Sequence, residues 1–484
     1  MNHPHAPLPP GRHLALTWGI SDDFGGMTSA LLHRSRAFVT LGGVEVDVLT
    51  FDTRPDYRAL ETRLRAQGAF IDGMRLLNLW DWLRDHVVAD GEPGRLDLEL
   101  HPFAPLADEG VITSERAGSA LTRTRFADDA TTILQVDHFR DDGSLLLSDR
   151  RDVRVAGQLG GRSLVLCDRT GTPVRSWGRL WSLYRWWLDR LRAHERTFMI
   201  VDSKTVAPFA MTYRRKLATV VHVVHASHLA KVNSPDGPLR ESRRTVFEQL
   251  DAFDSVVLLT QRQRLDVAAR GPLPDTVAVI PNSRDLPPAP ALDRPQRHGI
   301  VLAGLTARKR VQHAITAVQR AGATIPGLVL DVVGDGPERE RLVAAAAGTP
   351  GIRFHGHDPN GSRRLSDASF LLATGSSEGF PLVLVEAMAA GCIPIAYDVR
   401  YGPADVITDG RNGFLVPSGD VDALAEAIAR FAALSPWRVS RMRRAARRTA
   451  RAYSDLAITR RWASELRRAE ARKRAAWASE PIAS

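Results

Sequence analysis

The fold of this 484-residue chain is decided by residues 369–398, which are SFLLATGSSEGFPLVLVEAMAAGCIPIAYD. The apolar run SFLLATG predicts a buried strand, which a short polar loop follows. The next apolar segment predicts a helix, because Pro381 suits the first helical position and Gly391 suits the cap beyond the last turn. The run CIPIAYD then predicts a second strand. This strand–loop–helix–strand order is typical of a parallel α/β sheet.

The same stretch carries candidate ligand-binding groups. Glu378 follows the first strand, at the edge where open parallel sheets bind ligands. Glu386 lies one to two turns into the helix, and its acceptor-only carboxylate suits a diol such as a ribose. The turn between them is predicted to bind an anion, because it forms a helix N-terminus. This predicted anion site consists of Gly379, Phe380, Pro381 and Leu382.

Glu378 and Glu386 are separated by seven residues and resemble the E-x7-E signature of glycosyltransferase family 4. The resemblance implies an α/β fold of two facing Rossmann-like lobes, called GT-B, and transfer of a sugar with retention of its anomeric configuration. It also implies that Glu378 lies against the donor hexose, as a catalytic residue, and that Glu386 binds the nucleotide ribose. The alternative, two surface glutamates at a helix entry, fits poorly because everything else near Glu386 is apolar.

A basic loop, GLTARKR from Gly304 to Arg310, follows another predicted strand. In the family this loop brings an Arg and a Lys, five residues apart, to the donor diphosphate. Lys309 falls at the Lys position, whereas Gly304 stands where the family has Arg. Arg308 and Arg310 are the two candidates for the missing charge, and a basic solvated loop is the alternative. Fixed cations here would stabilise the leaving diphosphate, so the sequence predicts no metal and no cofactor.

Weaker candidates come from both halves of the chain. The glycine-rich turn at Gly334, and His357 after the next strand, resemble family segments that close around the nucleotide base. The turn is not a dinucleotide fingerprint, because its third glycine is absent. Gly25 and Gly26 allow close approach of backbone to a phosphate or sugar, with a plain tight turn as the alternative. His225 ends a predicted strand and is expected to bond a donor hydroxyl or to polarise the acceptor. A metal held by the histidines of HVVHASH (222–228) is the alternative for that segment.

The predicted order of domains follows from changes in the pattern of apolar and turn-forming residues along the chain. Alternating runs with turn signals predict an antiparallel, β-rich insertion at 86–196 within an N-terminal acceptor lobe formed by 11–85 and 197–285. A proline-rich stretch leads to a nucleotide-sugar lobe at 286–435. A basic helical tail at 436–475 is expected to cross back to the N-terminal lobe.

Further stretches, in order along the chain, resemble a narrower subgroup: VDHFRDDGSL, LVLCDRTGTPV, HASH and RYGPADVITDGRNGFLVPSGD. This subgroup contains the poly(glycerol-phosphate) alpha-glucosyltransferases of wall teichoic acid and the glycosyltransferases of serine-rich adhesins. The resemblance implies transfer of glucose or N-acetylglucosamine from a UDP-sugar to an anionic polymer. It also implies that the insertion serves oligomerisation or docking of a partner subunit.

Composition indicates which cellular compartment and which binding partners to expect. Only two cysteines occur, and no signal peptide or membrane-length apolar run is visible, so a reducing, cytoplasmic location is expected. The net charge of +10 is concentrated between Arg438 and Arg474, which hold 14 Lys and Arg against three acidic residues. Such a segment attracts a phosphate-rich polymer or, at the inner face of a membrane, anionic lipid. A solvated arginine-rich helix face is the plain alternative, and no nucleic-acid partner is expected.

The sequence therefore predicts a retaining hexosyltransferase acting on an anionic acceptor. Three alternatives stay open. One is a non-catalytic GT-B subunit of a glycosyltransferase complex, which the Gly304 departure favours. A second is a hexosyltransferase acting on protein or polysaccharide, and the third is a sugar-nucleotide epimerase of the same build.

Overall fold

The computed structural model describes residues 6–53, 56–86, 96–116, 118–231, 236–286, 294–358 and 360–479. These residues form two compact units. One contains 10–28 and 44–218, and the other contains 6–9, 29–43 and 219–479. Part of the proline-rich stretch predicted as a linker, 287–293, lies outside the described residues.

The first unit combines parallel and antiparallel strands. Its strands are β1 (Arg12–Leu16), β2 (Val46–Thr50), β3 (Met74–Asn78), β4 (Ile112–Arg116), β5 (Ser119–Phe126), β6 (Ile133–Phe139), β7 (Leu145–Arg150), β8 (Ser163–Cys167), β9 (Pro173–Trp177) and β10 (Thr197–Val201). Helix α1 (Gly26–Thr40) follows β1, and all but its first three residues belong to the other unit. The helices within the first unit are α2 (Tyr57–Ala66), α3 (Leu79–Asp85), α4 (Leu180–Arg192) and α5 (Ala207–Met211). Strands β10, β1, β2 and β3 are neighbours in that order and run parallel.

The predicted β-rich insertion is a six-stranded antiparallel sheet. Strands β4 to β9 pair in chain order, as expected for successive hairpins. One face of the sheet is anchored by His138, whose ring stacks on Trp80 with 3.8 Å between centroids. Burial, with a smaller contribution from the charge of Arg84, lowers the pKa of His138 to about 3. The imidazole is therefore neutral at physiological pH and acts as an apolar packing group.

The second unit is built on parallel strands alternating with helices. Its strands are β11 (Ala218–Val224), β12 (Ser255–Leu258), β13 (Val277–Val279), β14 (His298–Leu302), β15 (Val329–Val333), β16 (Ile352–Gly356), β17 (Phe370–Ala373), β18 (Ile393–Asp398) and β19 (Phe414–Pro417). Its helices are α6 (Glu241–Glu248), α7 (Gln261–Ala268), α8 (Val311–Gly322), α9 (Arg339–Ala345), α10 (Leu382–Ala389), α11 (Pro403–Val406), α12 (Val421–Ala432), α13 (Pro436–Arg451) and α14 (Asp455–Ser479).

Two parallel sets of strands organise this unit. Strands β13, β12 and β11 are neighbours, and a six-stranded sheet has the order β16-β15-β14-β17-β18-β19. Central strands such as β17 and β18 are apolar on both faces and almost wholly buried, which is the pattern of a parallel sheet covered by helices on each side. The strand order reverses between β14 and β17, so a crevice at their carboxyl ends is the expected place for a ligand.

The basic tail forms two long helices with different surroundings. Helix α13 packs against α10, and Arg443 on that side is only 2% exposed and donates to the Ser369 hydroxyl over 2.9 Å. Helix α14 packs on the β12 side, where Glu465 accepts from the Ser255 hydroxyl at 2.8 Å and Lys473 pairs with Asp254 at 2.9 Å. The arginine-rich tail is therefore not one solvated face, because part of its charge is buried.

Neither cysteine forms a disulfide. Cys167 and Cys392 are both buried, and burial raises the pKa of each thiol to about 12. Both thiols are therefore protonated and unreactive at neutral pH. Within the described residues, no helix combines the length and the apolar character needed to cross a membrane.

Candidate active site

Two adjacent strand ends bring the predicted diphosphate-binding lysine and sugar-binding glutamate together. Strands β14 and β17 pair in parallel, so the loops that follow them leave the sheet at the same edge. The loop after β14 carries a 3₁₀ turn, Ala307–Lys309, and the loop after β17 carries Glu378. The two loops are joined directly, because the Thr374 hydroxyl donates to the Lys309 carbonyl at 2.9 Å. Residues 69 apart in sequence thus become neighbours.

The predicted residues meet in an ion pair at this edge. The Lys309 ammonium lies 2.5 Å from one carboxylate oxygen of Glu378, and both side chains are about one-fifth exposed. Arg308 lies 3.6 Å from the other oxygen of Glu378 and donates to the Ser377 carbonyl at 2.9 Å. Lys309 and Glu378 also line a cavity of about 30 Å³, which has room for water but not for a sugar. Two cations and one carboxylate therefore converge beside solvent, where an anionic ligand can reach them.

Arg310, the second candidate for the missing family charge, is directed elsewhere. Its backbone is left-handed, with φ of 47°, and it caps α8. Its guanidinium contacts the Ser418 hydroxyl at 3.5 Å rather than Glu378. Gly304 is exposed, and a Cβ added there would meet only the Asp335 carbonyl, at 3.9 Å. The geometry therefore favours Arg308 over Arg310 as the charge beside Glu378, and position 304 has room for a side chain.

The loop after Glu378 is held against the end of β11. A Cβ added at Gly379 would lie 1.9 Å from the His225 carbonyl oxygen, so only glycine fits this contact. Phe380 is buried against Tyr453, with 5.4 Å between ring centroids. Gly379 and His225, predicted from separate motifs, thus lie side by side.

The helix start differs by one residue from the prediction. Pro381 has ψ of 84° and is the N-cap, so α10 begins at Leu382. The Leu382 amide donates to the Phe380 carbonyl at 3.0 Å and is therefore not available to an anion. In the described part of the chain the amides of Gly379 and Phe380 have no protein acceptor, so the predicted anion-binding turn is reduced to these two groups.

Glu386 has a partner that the sequence did not predict. One of its oxygens accepts from Nε of Arg284 at 2.5 Å, and both side chains are about one-fifth exposed. Arg284 is held in turn by its backbone, whose amide donates to the Tyr453 carbonyl at 3.1 Å. The only sequence signal was a charged residue two positions after the stretch Ile280-Pro281-Asn282, which gave no indication of its distant partner.

The glycine-rich turn after β15 supports the basic loop. Gly334 has φ of 141°, and a Cβ there would lie 1.9 Å from the Ala303 carbonyl oxygen. The Leu305 amide donates to the Asp335 carbonyl at 2.8 Å, so this turn fixes the start of the loop that carries Lys309. His357 lies beyond β16 and is exposed, and no hydrogen bond or ion pair among the described residues joins it to the Lys309–Glu378 pair.

Gly25 and Gly26 lie at the start of α1 in the first unit. Both are exposed, and a Cβ added to either would meet nothing within 4 Å. Packing within the protein therefore gives no reason for glycine at these positions. Their predicted role, close approach to a ligand, stays a prediction.

The histidines near β11 have distinct environments. His225 is half-buried and follows the strand, whereas the His228 ring is fully buried between Phe247 and Tyr401. Burial lowers the pKa of His228 to about 4, so it is a neutral packing group. His222 is likewise buried and stacks on Phe253. Among the described residues no group of three or more His, Cys, Asp or Glu is placed to hold a metal ion.

The chain is similar to several known proteins. Residues 285–451 match the family of glycosyl transferases group 1. An exopolysaccharide phosphotransferase of Streptomyces coelicolor is 35% identical over 184 residues, which are 37% of this chain and 20% of that protein. The poly(glycerol-phosphate) alpha-glucosyltransferase of Bacillus subtilis is 21% identical over 473 residues, which cover 87% of this chain and 70% of that protein.

A third relative is the GtfA subunit of the UDP-N-acetylglucosamine–peptide N-acetylglucosaminyltransferase of Streptococcus gordonii. It is 30% identical over 247 residues, 49% of this chain and 48% of that protein. The chain thus spans less than two thirds of two of these three relatives.

Among solved structures, Staphylococcus aureus TarM in complex with Fondaparinux, alpha-GlcNAc-glycerol and UDP superposes with a TM-score of 0.67 at 18% identity. The match covers 94% of this chain and 100% of that one, which shows that the predicted GT-B fold is correct. Residues 285–451 are therefore similar to the glycosyl transferases group 1 family, and the chain has the GT-B fold.

Proposed function

We propose that this chain is a retaining hexosyltransferase of glycosyltransferase family 4, which transfers glucose or N-acetylglucosamine from a UDP-sugar to an anionic polymer. The observation that carries the proposal is the convergence of Lys309, Arg308 and Glu378 at the carboxyl ends of β14 and β17. This transfer requires cations that hold a diphosphate and, close to them, a carboxylate that contacts the sugar.

The cations stabilise the leaving group. As the bond between the sugar C1 and the diphosphate oxygen breaks, negative charge grows on the diphosphate, and fixed positive groups lower the energy of that state. Lys309 supplies one charge, and Arg308 takes the place of the guanidinium that Gly304 lacks. These charges replace a divalent metal, so the reaction is proposed to need none.

Glu378 acts on the sugar. Its carboxylate orients the hexose and stabilises the positive charge that builds up at C1. The acceptor hydroxyl attacks from the side that the diphosphate leaves, the new bond forms between C1 and the acceptor oxygen, and the departing phosphate oxygen takes the acceptor proton. Attack on that face retains the anomeric configuration. His225, beside Gly379, bonds a donor hydroxyl or polarises the acceptor.

Glu386 binds the ribose. It now pairs with Arg284 at 2.5 Å, so its carboxylate is already oriented and one oxygen keeps lone pairs for a diol. Arg284 is a positioning residue for Glu386, and it lowers the cost of holding that carboxylate in a partly buried place. Gly334 and His357 are proposed to lie near the nucleotide base, and Gly25 and Gly26 near a phosphate or sugar.

The names of the relatives support the substrate classes. The Bacillus protein is a poly(glycerol-phosphate) alpha-glucosyltransferase, and TarM is complexed with UDP and alpha-GlcNAc-glycerol. The Streptococcus relative is a subunit that acts on peptide, which supports a second candidate: a protein-directed transferase working with a partner subunit. Both cysteines are buried and unpaired, which supports a reducing, cytoplasmic compartment.

The test is a panel of UDP-, GDP- and ADP-hexoses incubated with purified protein, with and without glycerol-phosphate polymer, in the presence and absence of chelator. Mass spectrometry is expected to show hexose added to the polymer from a UDP-sugar, and NMR is expected to show the α configuration. Loss of activity with chelator, restored by Mg²⁺ or Mn²⁺, would contradict the metal-free mechanism. Absence of any donor hydrolysis would favour a non-catalytic subunit, and conversion of free donor without acceptor would favour an epimerase.

A further inference from the structure

A large basic cavity lies on the exposed side of α13, away from the residues of the candidate active site. Its volume is about 630 Å³, and it shares no lining residue with the small cavity beside Lys309 and Glu378. Five guanidinium groups and one indole line it. We call it the arginine cavity and define it by Arg411, Trp437, Arg438, Arg441, Arg444 and Arg448.

The charge of the arginine cavity is uncompensated. All five arginines are exposed, and within the described residues none of them pairs with a carboxylate. Arg443 and Arg447 on the same helix differ. Arg443 is buried against Ser369, and burial lowers the pKa of the Arg447 guanidinium. Like charges at helical spacing repel one another, so five unpaired guanidiniums in one concavity favour an anionic ligand.

The spacing of the charges indicates what kind of anion fits. Arg438, Arg441, Arg444 and Arg448 follow one another at intervals of three or four residues, so they line one face of α13. At 1.5 Å per residue this row is about 15 Å long. A single phosphate would use only part of it, whereas a chain with regularly repeated negative charges would meet several guanidiniums at once.

Trp437 adds a contact for the uncharged part of such a chain. Its side chain is 62% exposed, and the Arg441 guanidinium lies 5.7 Å from its ring centroid. An exposed indole at the end of a basic row offers an apolar surface to the carbon atoms of a polyol or a sugar. The cavity thus combines charge recognition with an aromatic wall.

We propose that the arginine cavity binds a segment of a linear phosphodiester polymer at a site separate from the donor site. The concave shape favours a flexible chain, which can enter it, over a membrane surface, which can contact only its rim. The identification of that polymer as the acceptor rests on the proposed function. Held here, an acceptor chain stays near the active site between transfers, because tethering raises its effective concentration.

The experiment measures binding of a fluorescent glycerol-phosphate oligomer by anisotropy at several salt concentrations. The variant carries Arg438→Gln, Arg441→Gln, Arg444→Gln and Arg448→Gln, which leaves the buried Arg443 and the half-buried Arg447 in place. The control removes the same charge at four exposed positions outside the cavity, by Arg154→Gln, Arg214→Gln, Lys216→Gln and Arg363→Gln. Circular dichroism melting checks that both variants fold.

The cavity variant is expected to bind the oligomer at least tenfold more weakly than wild type, and the control within threefold. Its plot of log affinity against log salt should be shallower by about three, since each phosphate contact on a linear polyanion contributes about 0.7–0.9. Trp437→Ala should weaken binding severalfold without changing that slope. Equal binding by wild type and cavity variant would overturn the proposal.

Two further arms separate the rival explanations. Co-sedimentation with phosphatidylglycerol vesicles tests a membrane role, and the proposal fails if the cavity variant loses vesicle binding but keeps oligomer binding. UDP binding is measured in parallel and is expected to be unchanged. Oligomer binding that depends on the cavity, in a protein that transfers no sugar, would refute the proposed function and leave this site standing.

Discussion

The proposal that Arg308 supplies the charge missing at Gly304 can be tested by a single substitution, Arg308→Gln. Loss of one preorganised charge-stabilising group typically costs about 2.7–4 kcal/mol in the transition state. The Arg308 side chain is 53% exposed, so solvent screens roughly half of that effect. We therefore expect a loss of about 1.5–2 kcal/mol, which is roughly ten- to thirtyfold in kcat/KM.

The neighbouring arginine is the matched control. Arg310 differs by two positions in sequence and carries the same charge, but its guanidinium contacts Ser418 instead of Glu378. Arg310→Gln should therefore change kcat/KM by less than threefold. A guanidinium restored at the family position should rescue the first variant, because position 304 is exposed and an added Cβ meets only the Asp335 carbonyl at 3.9 Å.

The assay is initial-rate transfer from UDP-sugar for four proteins: wild type, Arg308→Gln, Arg310→Gln and the double variant Gly304→Arg with Arg308→Gln. Recovery of at least fivefold in the double variant is expected. The reasoning is refuted if Arg310→Gln is the more damaging single change, or if Arg308→Gln leaves kcat/KM within twofold of wild type.

Three further predictions concern the two glutamates, Gly379 and the buried His138. Glu378→Gln should lower kcat, with little change in KM, because the activation free energy rises by about 2–4 kcal/mol. Glu386→Gln should mainly raise the donor KM. Near-normal turnover in Glu378→Gln would contradict the role assigned to Glu378. Gly379→Ala should abolish measurable transfer, because the added methyl group would lie 1.9 Å from a carbonyl oxygen. Gly304→Ala should stay near wild type, because its methyl group has room. Normal rates in Gly379→Ala would show that the loop adapts. Because His138 stays neutral in the fold down to about pH 3, while the unfolded chain gains a proton below about 6.5, this group should reduce the free energy of unfolding by about 1.4 kcal/mol per pH unit as pH falls from 6.5. Urea unfolding at pH 7.0 and 5.5 should show a smaller decrease for His138→Phe than for wild type, and an equal decrease would argue against this assignment.

The meeting of Lys309 with Glu378 could be predicted because it depends on a simple rule. Both residues follow parallel strands, and the carboxyl ends of neighbouring parallel strands share one edge of the sheet. The E-x7-E spacing then indicated which loop and which helix turn mattered. These local signals need no knowledge of distant contacts.

The partner of Glu386 could not be predicted, because this contact has no local sequence signal. Arg284 is 102 residues away in sequence, and only the folded chain brings its guanidinium to the carboxylate. The predicted start of α10 was wrong by one residue. Proline restricts φ but leaves ψ free, and the ψ of Pro381 takes a non-helical value.

The basic tail shows a further limit of composition. Its charge predicted one anion-attracting segment, but charge counting cannot distinguish Arg443, which donates to Ser369 inside the protein, from Arg444, which lines the arginine cavity. The distinction depends on which side of α13 packs against α10. Neutralising both kinds together would mix loss of folding with loss of binding.

The contact between Gly379 and the His225 carbonyl has a mechanical consequence. With no side chain between them, the loop that carries Glu378 and the segment that follows β11 touch backbone to backbone. Neither can advance toward the other without collision, and neither can retreat alone without opening a gap. A ligand that pushes His225 toward Gly379 must therefore push the Glu378 loop with it, so occupancy on one side of this contact can change the geometry on the other. The order of substrate binding, and any synergy between the two substrates in steady-state kinetics, would then depend on the absence of a side chain at Gly379.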